Sequence, residues 1–272
     1  MKNLTEFFVE FLSRIIVYLF SLTKLTNYLL DKIILSALKR SINIKHNGHT
    51  LNLQTPNSLC LWRSKTFSTK EPETLKWIDG FKNKSVFWDI GANIGLYSIY
   101  AGKKGHKIFS FEPSFFNLEG LSRNINLNNL NENVVVFPLA LNDKTCLSKF
   151  HMSNIIWGSA HSTFDKKFIS SGKNMNIKFS YKTLGVKIDE IIKIFNMKQP
   201  RYIKIDVDGI EHLILKGGKK TIRKTTSILI EVSKKFEVHH YTILNILNSL
   251  GFRLKNEFGS EKYYKNQIWE KI

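Results

Sequence analysis

One short string combines an acid, two glycines and an asparagine in the spacing of a ligand-binding turn. Residues 86–89 are an apolar run that ends in Asp89, and Gly91, Asn93 and Gly95 lead into a predicted helix. Glycines let the backbone approach a ligand closely, and a helix start offers free N–H donors. A dinucleotide fingerprint would need glycine at Asn93 and at Leu96, and no Gly-Lys-Ser/Thr follows as in a Walker loop. The string therefore predicts a turn for another kind of ligand.

A second acid, Glu112, ends the next predicted strand in Phe111-Glu112-Pro113. A carboxylate at about this distance beyond a glycine turn can accept both hydroxyls of a ribose. The order of strand, Asp89, spaced glycines, helix, strand and Glu112 is more specific than either half alone. It predicts a ligand site where two strands end side by side.

Three more carboxylates follow one another closely: Asp206 ends the predicted fourth strand, Asp208 comes next, and Glu211 lies in the first turn of the following helix. Such a group can accept a proton, clamp a substrate or ligate a hard cation. Crowding of like charges should raise the pKa of at least one member. For Asp208 and Glu211 the alternative is helix capping. His161 is a second candidate base and His239-His240 a weaker one; no His/Cys pattern supports a metal, so we assign no metal ligand.

Strands that alternate with helices must position these residues, which indicates a mostly parallel sheet covered by helices on both faces. Ligands of such sheets bind at the carboxyl ends of the strands. We predict an irregular stretch at 142–180 and a final antiparallel pair of strands at 252–254 and 263–269. The other predicted strands are 85–89, 107–112, 134–138, 202–206 and 227–232, and the predicted helices are 71–81, 94–101, 117–128, 186–195, 209–216 and 241–250.

The amino-terminal segment has a different pattern. Apolar residues recur at helical spacing over 4–39, and 42–53 alternates around Asn47-Gly48, which predicts a β-hairpin. Glu10, Arg14 and Lys24 interrupt the long helix, so it is neither a comfortable membrane span nor a clean signal peptide. It packs on the rest of the chain or on a second subunit, lies in a membrane interface, or is a poor signal anchor. We predict two parts, an extension at 1–65 and a domain at 66–272.

The composition is strongly basic, with 41 Lys and Arg against 22 Asp and Glu and a formal net charge of +19. Such a charge suits nucleic acid, anionic lipid or an acidic substrate. The lysines are spread along the whole chain, however, and single out no basic surface. Cys60 and Cys146 stand far apart and form no disulfide framework or zinc motif, which favours a reducing, cytoplasmic compartment.

The chain resembles the FkbM family of methyltransferases over about residues 66–255. The resemblance depends on five strings: Trp88-Asp-Ile-Gly-Ala-Asn-Ile-Gly95, Phe111-Glu-Pro113, Asn124-Ile-Asn-Leu-Asn128, Ile203-Lys-Ile-Asp-Val-Asp-Gly-Ile-Glu-His-Leu213 and Lys216-Gly-Gly218. It implies S-adenosyl-L-methionine as the cofactor. Its amino-acid part would lie among Asp89, Gly91, Asn93 and Gly95, its ribose at Glu112 and its adenine near Ala140.

This sequence departs from the family at two places. Asp208 stands where the family usually has Glu, and Lys187-Ile-Asp189 stands where it usually has Thr-Leu-Asp. These departures leave the acceptor open. Since the family mostly methylates oxygen, often in sugars, glycans or polyketide-type compounds, we expect O-methylation of a saccharide, glycan or glycolipid hydroxyl.

The expected fold is α/β: a Rossmann-like open sheet of the class I methyltransferase type, mostly parallel with an antiparallel C-terminal strand, plus an N-terminal helical extension and a small hairpin. An RNA methyltransferase using the basic surface and a non-enzymatic binder remain alternatives. No Asn/Asp-Pro-Pro-aromatic string and no Pro-Cys pair supports base methylation, so the nucleic-acid signal is weak. The expected partner is a small-molecule or glycan acceptor, and peripheral membrane contact through residues 1–40 and a homo-oligomer stay open.

Overall fold

The computed structural model describes residues 2–82, 84–168, 172–259 and 264–272. Its centre is a seven-stranded sheet in the order β12-β13-β11-β10-β3-β4-β5. The five strands from β11 to β5 run parallel, and β13 lies antiparallel to both β11 and β12. These strands are β3 (Val86–Ile90), β4 (Lys107–Phe111), β5 (Val134–Phe137), β10 (Tyr202–Ile205), β11 (Ser227–Ser233), β12 (Phe252–Phe258) and β13 (Tyr264–Lys271). The predicted Rossmann-like, mostly parallel sheet with an antiparallel C-terminal strand is confirmed.

Helices connect the parallel strands and cover the sheet, as the alternation of elements predicts. The central strand β10 is buried along its whole length, which fits its apolar run between two parallel neighbours. Two buried apolar clusters hold the sheet and its helices together. The helices are α3 (Ser58–Lys65), α4 (Phe67–Lys70), α5 (Pro72–Asp79), α6 (Leu96–Lys103), α7 (Phe115–Leu127), α8 (Ile188–Ile194), α9 (Glu211–Gly217), α10 (Lys219–Ile222) and α11 (Glu237–Ser249).

The predicted hairpin is present as β1 (Ser41–His46) and β2 (His49–Gln54), paired antiparallel. Its two-residue turn has Asn47 at φ 44° and Gly48 at φ 77°. Positive φ at both central residues matches the twist of the paired strands, which explains the Asn-Gly signal. The predicted boundary between residues 65 and 66 falls at the end of α3 and stays a prediction.

The stretch 142–180 is only partly regular, and it contains strands that the sequence analysis does not predict. Parts of it belong to a second sheet in the order β6-β9-β7-β8, built from β6 (Ala140–Leu141), β7 (Cys146–Met152), β8 (Ser162–Phe164) and β9 (Phe179–Val186). Sequence periodicity misses β7 because Leu147 is 73% exposed while His151 is buried, which is the reverse of an amphipathic strand. Residues 169–171 of this stretch, and Tyr263 of the predicted last strand, lie outside the described residues.

The amino-terminal segment forms two helices rather than one, α1 (Lys2–Ser21) and α2 (Lys24–Leu38). The break comes at Thr23, whose hydroxyl caps α2 by accepting the Thr26 N–H at 3.2 Å. Side chains 4–38 are exposed or half-buried, so these helices do not pack into the rest of the described chain, contrary to one of the alternatives above. Among the described helices, none has the length and apolar content needed to cross a bilayer.

Candidate active site

A cavity of about 700 Å³ opens where β3, β4 and β10 end, at the edge that the fold favours for ligands. This volume is typical of small-molecule sites. Six of the nine predicted site residues line it: Gly91, Asn93, Glu112, Ala140, Asp206 and Asp208. The other three, Asp89, Gly95 and Glu211, lie behind its wall.

Gly91 joins the two halves of the site. Its φ is 82°, and a Cβ atom there would stand 1.9 Å from the carbonyl oxygen of Asp206. The turn after β3 therefore touches the exit of β10, and only glycine permits both the conformation and the contact. Gly95 begins α6 at φ 84°, where a Cβ would stand 2.3 Å from Leu121. Gly95 therefore allows the start of α6 to pack closely against Leu121, and it does not face the cavity.

Glu112 is 5% exposed and lines the cavity. One carboxylate oxygen accepts the Asn93 N–H at 2.8 Å and the other accepts the Ser114 N–H at 2.8 Å. Burial raises the pKa of Glu112 to about 7, although these two backbone donors oppose the rise. A carboxylate oxygen offers more than one lone pair, so both oxygens keep acceptor capacity toward the cavity.

A loop crosses the turn after β3 and is held there by amide side chains. The carbonyl oxygen of Ser159 accepts hydrogen bonds from Asn93 Nδ2 at 2.8 Å and from Asn117 Nδ2 at 3.1 Å. Arg63 donates from Nε to the Gly158 carbonyl at 2.6 Å. Asn93 itself has φ 52°, a conformation that asparagine tolerates better than most residues. Its side chain therefore works on the loop, while its backbone N–H binds Glu112.

Asp89 lies beneath the turn and is 1% exposed. Its Oδ2 accepts a hydrogen bond from the Ser98 hydroxyl at 2.6 Å, whereas Oδ1 has no hydrogen-bond partner among the described residues. Burial raises the pKa of Asp89, and the nearby Lys204 ammonium opposes the rise. The family resemblance implies that Asp89 contacts a ligand directly. In this structure the turn after β3 separates Asp89 from the cavity.

Lys204 is the main site residue that the sequence analysis does not identify. It is 1% exposed, stands beside Asp89 in the parallel register and places its Nζ 2.6 Å from Asp206 Oδ2. Burial favours neutral Lys204, but the surrounding carboxylates, led by Asp206, raise its pKa instead. The signal in the sequence is a lysine between two isoleucines of a buried strand, because a buried ammonium needs a charged partner.

Asp206 is consequently a weak candidate for the base. Burial alone would raise its pKa, but the Lys204 ammonium outweighs burial and lowers it. Lys204 also lies over the Tyr97 ring at 5.0 Å, and the Tyr97 hydroxyl donates to Glu71 at 2.8 Å. Asp206 thus belongs to a charge network that keeps it ionised at the cavity wall.

Asp208 brings a distant histidine into the site. Its Oδ2 accepts the backbone N–H groups of His161 at 2.7 Å and Ser162 at 3.3 Å. Its Oδ1 lies 3.6 Å from His161 Nδ1, and both side chains line the cavity. Burial, followed by the charge of Asp206, raises the pKa of Asp208. The sequence places His161 in a polar loop, and only the tertiary fold sets it against a carboxylate.

Glu211 turns away from the cavity. It is 4% exposed, and its Oε1 accepts the Gly209 N–H at 2.9 Å, so it holds the turn before α9 and does not cap the N–H groups of the helix itself. Burial raises the pKa of Glu211 to about 7. Glu231, which was not among the predicted residues, instead lines the cavity, and burial together with Asp206 raises its pKa well above the usual value. A catalytic role for Glu211 stays a prediction.

The remaining histidine candidates lie outside the cavity lining. His239 stacks on Phe236 with ring centroids 3.5 Å apart and on His212 at 3.7 Å. Burial lowers the pKa of His239 and of His240. Both therefore belong to the packing around the start of α11 rather than to the site.

Comparisons with known proteins show which family and which folds this chain resembles. A model of the methyltransferase FkbM domain matches residues 89–254. Hexuronic acid methyltransferase AglP of Haloferax volcanii is 22% identical over 172 residues, which cover 63% of this chain and 66% of that protein. This chain therefore spans just under two thirds of that curated relative.

Solved structures include similar folds. Methyltransferase FkbM from Methylobacillus flagellatus KT has 18% identity and a TM-score of 0.49, over 70% of this chain and 44% of that one. A precorrin-6y C5,15-methyltransferase from Geobacter metallireducens GS-15 has 13% identity and a TM-score of 0.48, over 75% and 90% of the two chains.

Proposed function

We propose that this chain, which belongs to the FkbM family of methyltransferases, transfers a methyl group from S-adenosylmethionine to a hydroxyl of a saccharide, glycan or glycolipid. The observation that carries the proposal is the single cavity that Glu112 and the turn after β3 share with Asp206, Asp208 and His161. One side offers groups for a nucleoside, and the other offers groups that manage charge and protons. A methyl transfer needs both within one small volume.

The cofactor side fits S-adenosylmethionine in chemistry. Glu112 keeps acceptor capacity for a ribose diol, and Ala140 leaves space beside it for an adenine ring. The cofactor carries a sulfonium and an ammonium, and Asp206, which Lys204 keeps ionised, supplies negative charge at the cavity. When bound, it supplies an electrophilic methyl carbon.

On the acceptor side, we infer that His161, paired with Asp208, accepts the proton of the acceptor hydroxyl. A hydroxyl becomes a good nucleophile as its proton leaves, and a positioned base contributes about 10²- to 10⁴-fold. If His161 takes that proton, the imidazolium it becomes faces Asp208 Oδ1 at 3.6 Å, a favourable charge pair. Asp208 then acts as a positioning residue, whereas Asp206 remains paired with Lys204.

Two observations favour a sugar as the acceptor. The relative AglP methylates a hexuronic acid according to its name, although at only 22% identity. Trp62 lines the cavity and is 47% exposed, next to Arg63. An exposed indole beside polar groups suits a ring that has apolar faces and hydroxyl edges. The site thus combines a stacking surface with hydrogen-bonding groups.

Calorimetry with S-adenosylhomocysteine tests the cofactor. We expect the wild-type protein to bind it and Glu112→Gln to bind at least tenfold more weakly, because the amide replaces one acceptor oxygen by a donor. Glu132→Gln, on the exposed surface before β5, is the matched control and should bind like the wild type. A wild-type protein that binds no S-adenosylhomocysteine would sink the methyltransferase proposal.

Transfer of a labelled methyl group tests the acceptor. The protein is incubated with labelled S-adenosylmethionine and separate glycan, lipid and RNA fractions. Label in the glycan or glycolipid fraction supports the proposal. Label in RNA alone would instead establish the alternative RNA methyltransferase, and cofactor binding without transfer to any fraction would favour a non-enzymatic binder.

A further inference from the structure

An extensive apolar surface of the described chain lies on α1 and α2. Eighteen large apolar side chains between Leu4 and Leu35 are at least 38% exposed. The two helices contact each other, and none of the described side chains in them is buried. Contiguous apolar surface of this extent marks an interaction site in a folded protein.

The apolar residues of α1 form a broad face opposite a narrow polar stripe. Phe8, Leu12, Ile15 and Leu19 follow helical spacing along the middle of that face, and all four are exposed. Glu10 lies on the opposite side, where it accepts a hydrogen bond from Arg14 at 2.7 Å. The apolar face of α1 therefore covers most of the helix circumference, which is wider than the seam of a coiled coil.

The charge of this segment is basic. Residues 1–40 contain six Lys or Arg and three Asp or Glu, and Lys39 and Arg40 follow directly after α2. The whole chain, including this segment, carries a formal net charge of +19. Tyr28 lies in α2 with the Lys32 ammonium 5.0 Å from its ring, and such amphipathic side chains suit the boundary between head groups and acyl chains.

We propose that α1 and α2 bind flat on the surface of a membrane that contains anionic phospholipid. A wide apolar face enters the acyl boundary and the basic residues meet the phosphate groups, which is how interfacial helices bind. The break at Thr23 divides the segment into two short helices, and each can lie along the membrane surface without forming one long rigid rod. A second copy of the chain is the competing occupant, but a dimer seam would need only a narrow stripe.

This proposal is independent of the acceptor assignment. The full-length protein is sedimented with sucrose-loaded vesicles of phosphatidylcholine alone, and with vesicles containing about 30% phosphatidylglycerol, a composition that gives the anionic surface invoked here. We expect binding to the anionic vesicles and at least tenfold weaker partitioning to phosphatidylcholine alone.

Two variants of the full chain separate the apolar face from general stickiness. Phe8→Gln/Leu12→Gln/Ile15→Gln should lower partitioning at least tenfold. Ser13→Gln/Ser21→Gln places glutamines on the opposite stripe of α1 without removing an apolar side chain and should bind like the wild type. Circular dichroism and S-adenosylhomocysteine binding check that both variants fold.

Equal partitioning of the wild type and both variants would overturn the proposal. So would a wild-type protein that ignores anionic vesicles and sediments in solution as a dimer, with only the apolar-face variant becoming a monomer. That result would assign α1 and α2 to a second copy of the chain.

Discussion

Replacing Glu211 by Gln distinguishes a structural acid, which holds the turn before α9, from a catalytic acid. The side chain is 4% exposed and its Oε1 accepts the Gly209 N–H at 2.9 Å. Burial raises the pKa of Glu211 from an ordinary value of 4.5 to about 7, and the charges of Asp208 and Asp206 act in the same direction. Glutamine has the same shape, keeps one acceptor oxygen and cannot ionise.

The sign of the effect follows from the raised pKa. Between pH 4.5 and about 7 the folded state holds a proton at Glu211 that the unfolded state has released. The stability from this group is therefore largest at low pH and is lost as the pH rises through the folded pKa. Each pKa unit corresponds to about 1.4 kcal/mol, so the wild type should lose about 2.5 kcal/mol relative to Glu211→Gln between pH 5 and pH 8.5.

Urea unfolding at pH 5 and pH 8.5 measures this change. Glu237→Gln is the control, because Glu237 is also the first residue of a helix, α11, but is exposed. The difference in unfolding free energy between wild type and control should stay nearly constant with pH. A Glu211→Gln difference that is equally constant, or that grows in favour of the wild type at pH 8.5, would refute the argument from burial.

Turnover gives the second readout. If Glu211 only holds the turn before α9, Glu211→Gln should bind S-adenosylhomocysteine normally and keep methyl transfer within about threefold of wild type. A loss of 10²-fold or more in kcat, the range of a missing general base, would place Glu211 in the chemistry after all.

Three further changes test the site and its support. His161→Gln should lower kcat by about 10²- to 10⁴-fold at unchanged S-adenosylhomocysteine affinity, and equal loss of both would argue against a base. Lys204→Met should destabilise the fold by about 1–3 kcal/mol in urea unfolding, since it leaves the half-buried Asp206 carboxylate without its ammonium partner, and a neutral result would contradict that pairing. Gly217→Ala places a Cβ 2.1 Å from a backbone carbonyl oxygen and should lower Tm by several degrees. Gly80→Ala, where the nearest atom is 3.4 Å away, should leave Tm nearly unchanged.

Local chemistry explains what the sequence predicts well. The turn from Asp89 to Gly95 follows one strand, and the acid Glu112 follows the next strand along the chain. Each is recognised from residues that are neighbours in the sequence. The hairpin at Asn47-Gly48 depends on two φ angles, and those residues adopt them readily. The sequence pattern does not predict the break of the first helix at Thr23, because one capping residue is a weaker signal than forty residues of apolar periodicity.

Long-range packing explains what the sequence does not predict. The second sheet contains β7, whose exposure pattern does not follow its hydrophobic pattern, since neighbouring strands decide which face is covered. Glu231 enters the cavity only because β11 lies beside β10. No pattern of neighbouring residues in the sequence shows that Glu231 of β11 reaches the cavity.

By itself, the sequence determined the parallel α/β architecture, the ligand turn and the family, because periodicity and glycine spacing are properties of consecutive residues. Only the tertiary structure decided how the carboxylates divide their roles. It paired Asp206 with Lys204, turned Glu211 toward a backbone N–H and set His161 beside Asp208. Charge and hydrogen bonding act through space, so partners that lie 47 residues apart in the chain are selected by the fold and not by their spacing.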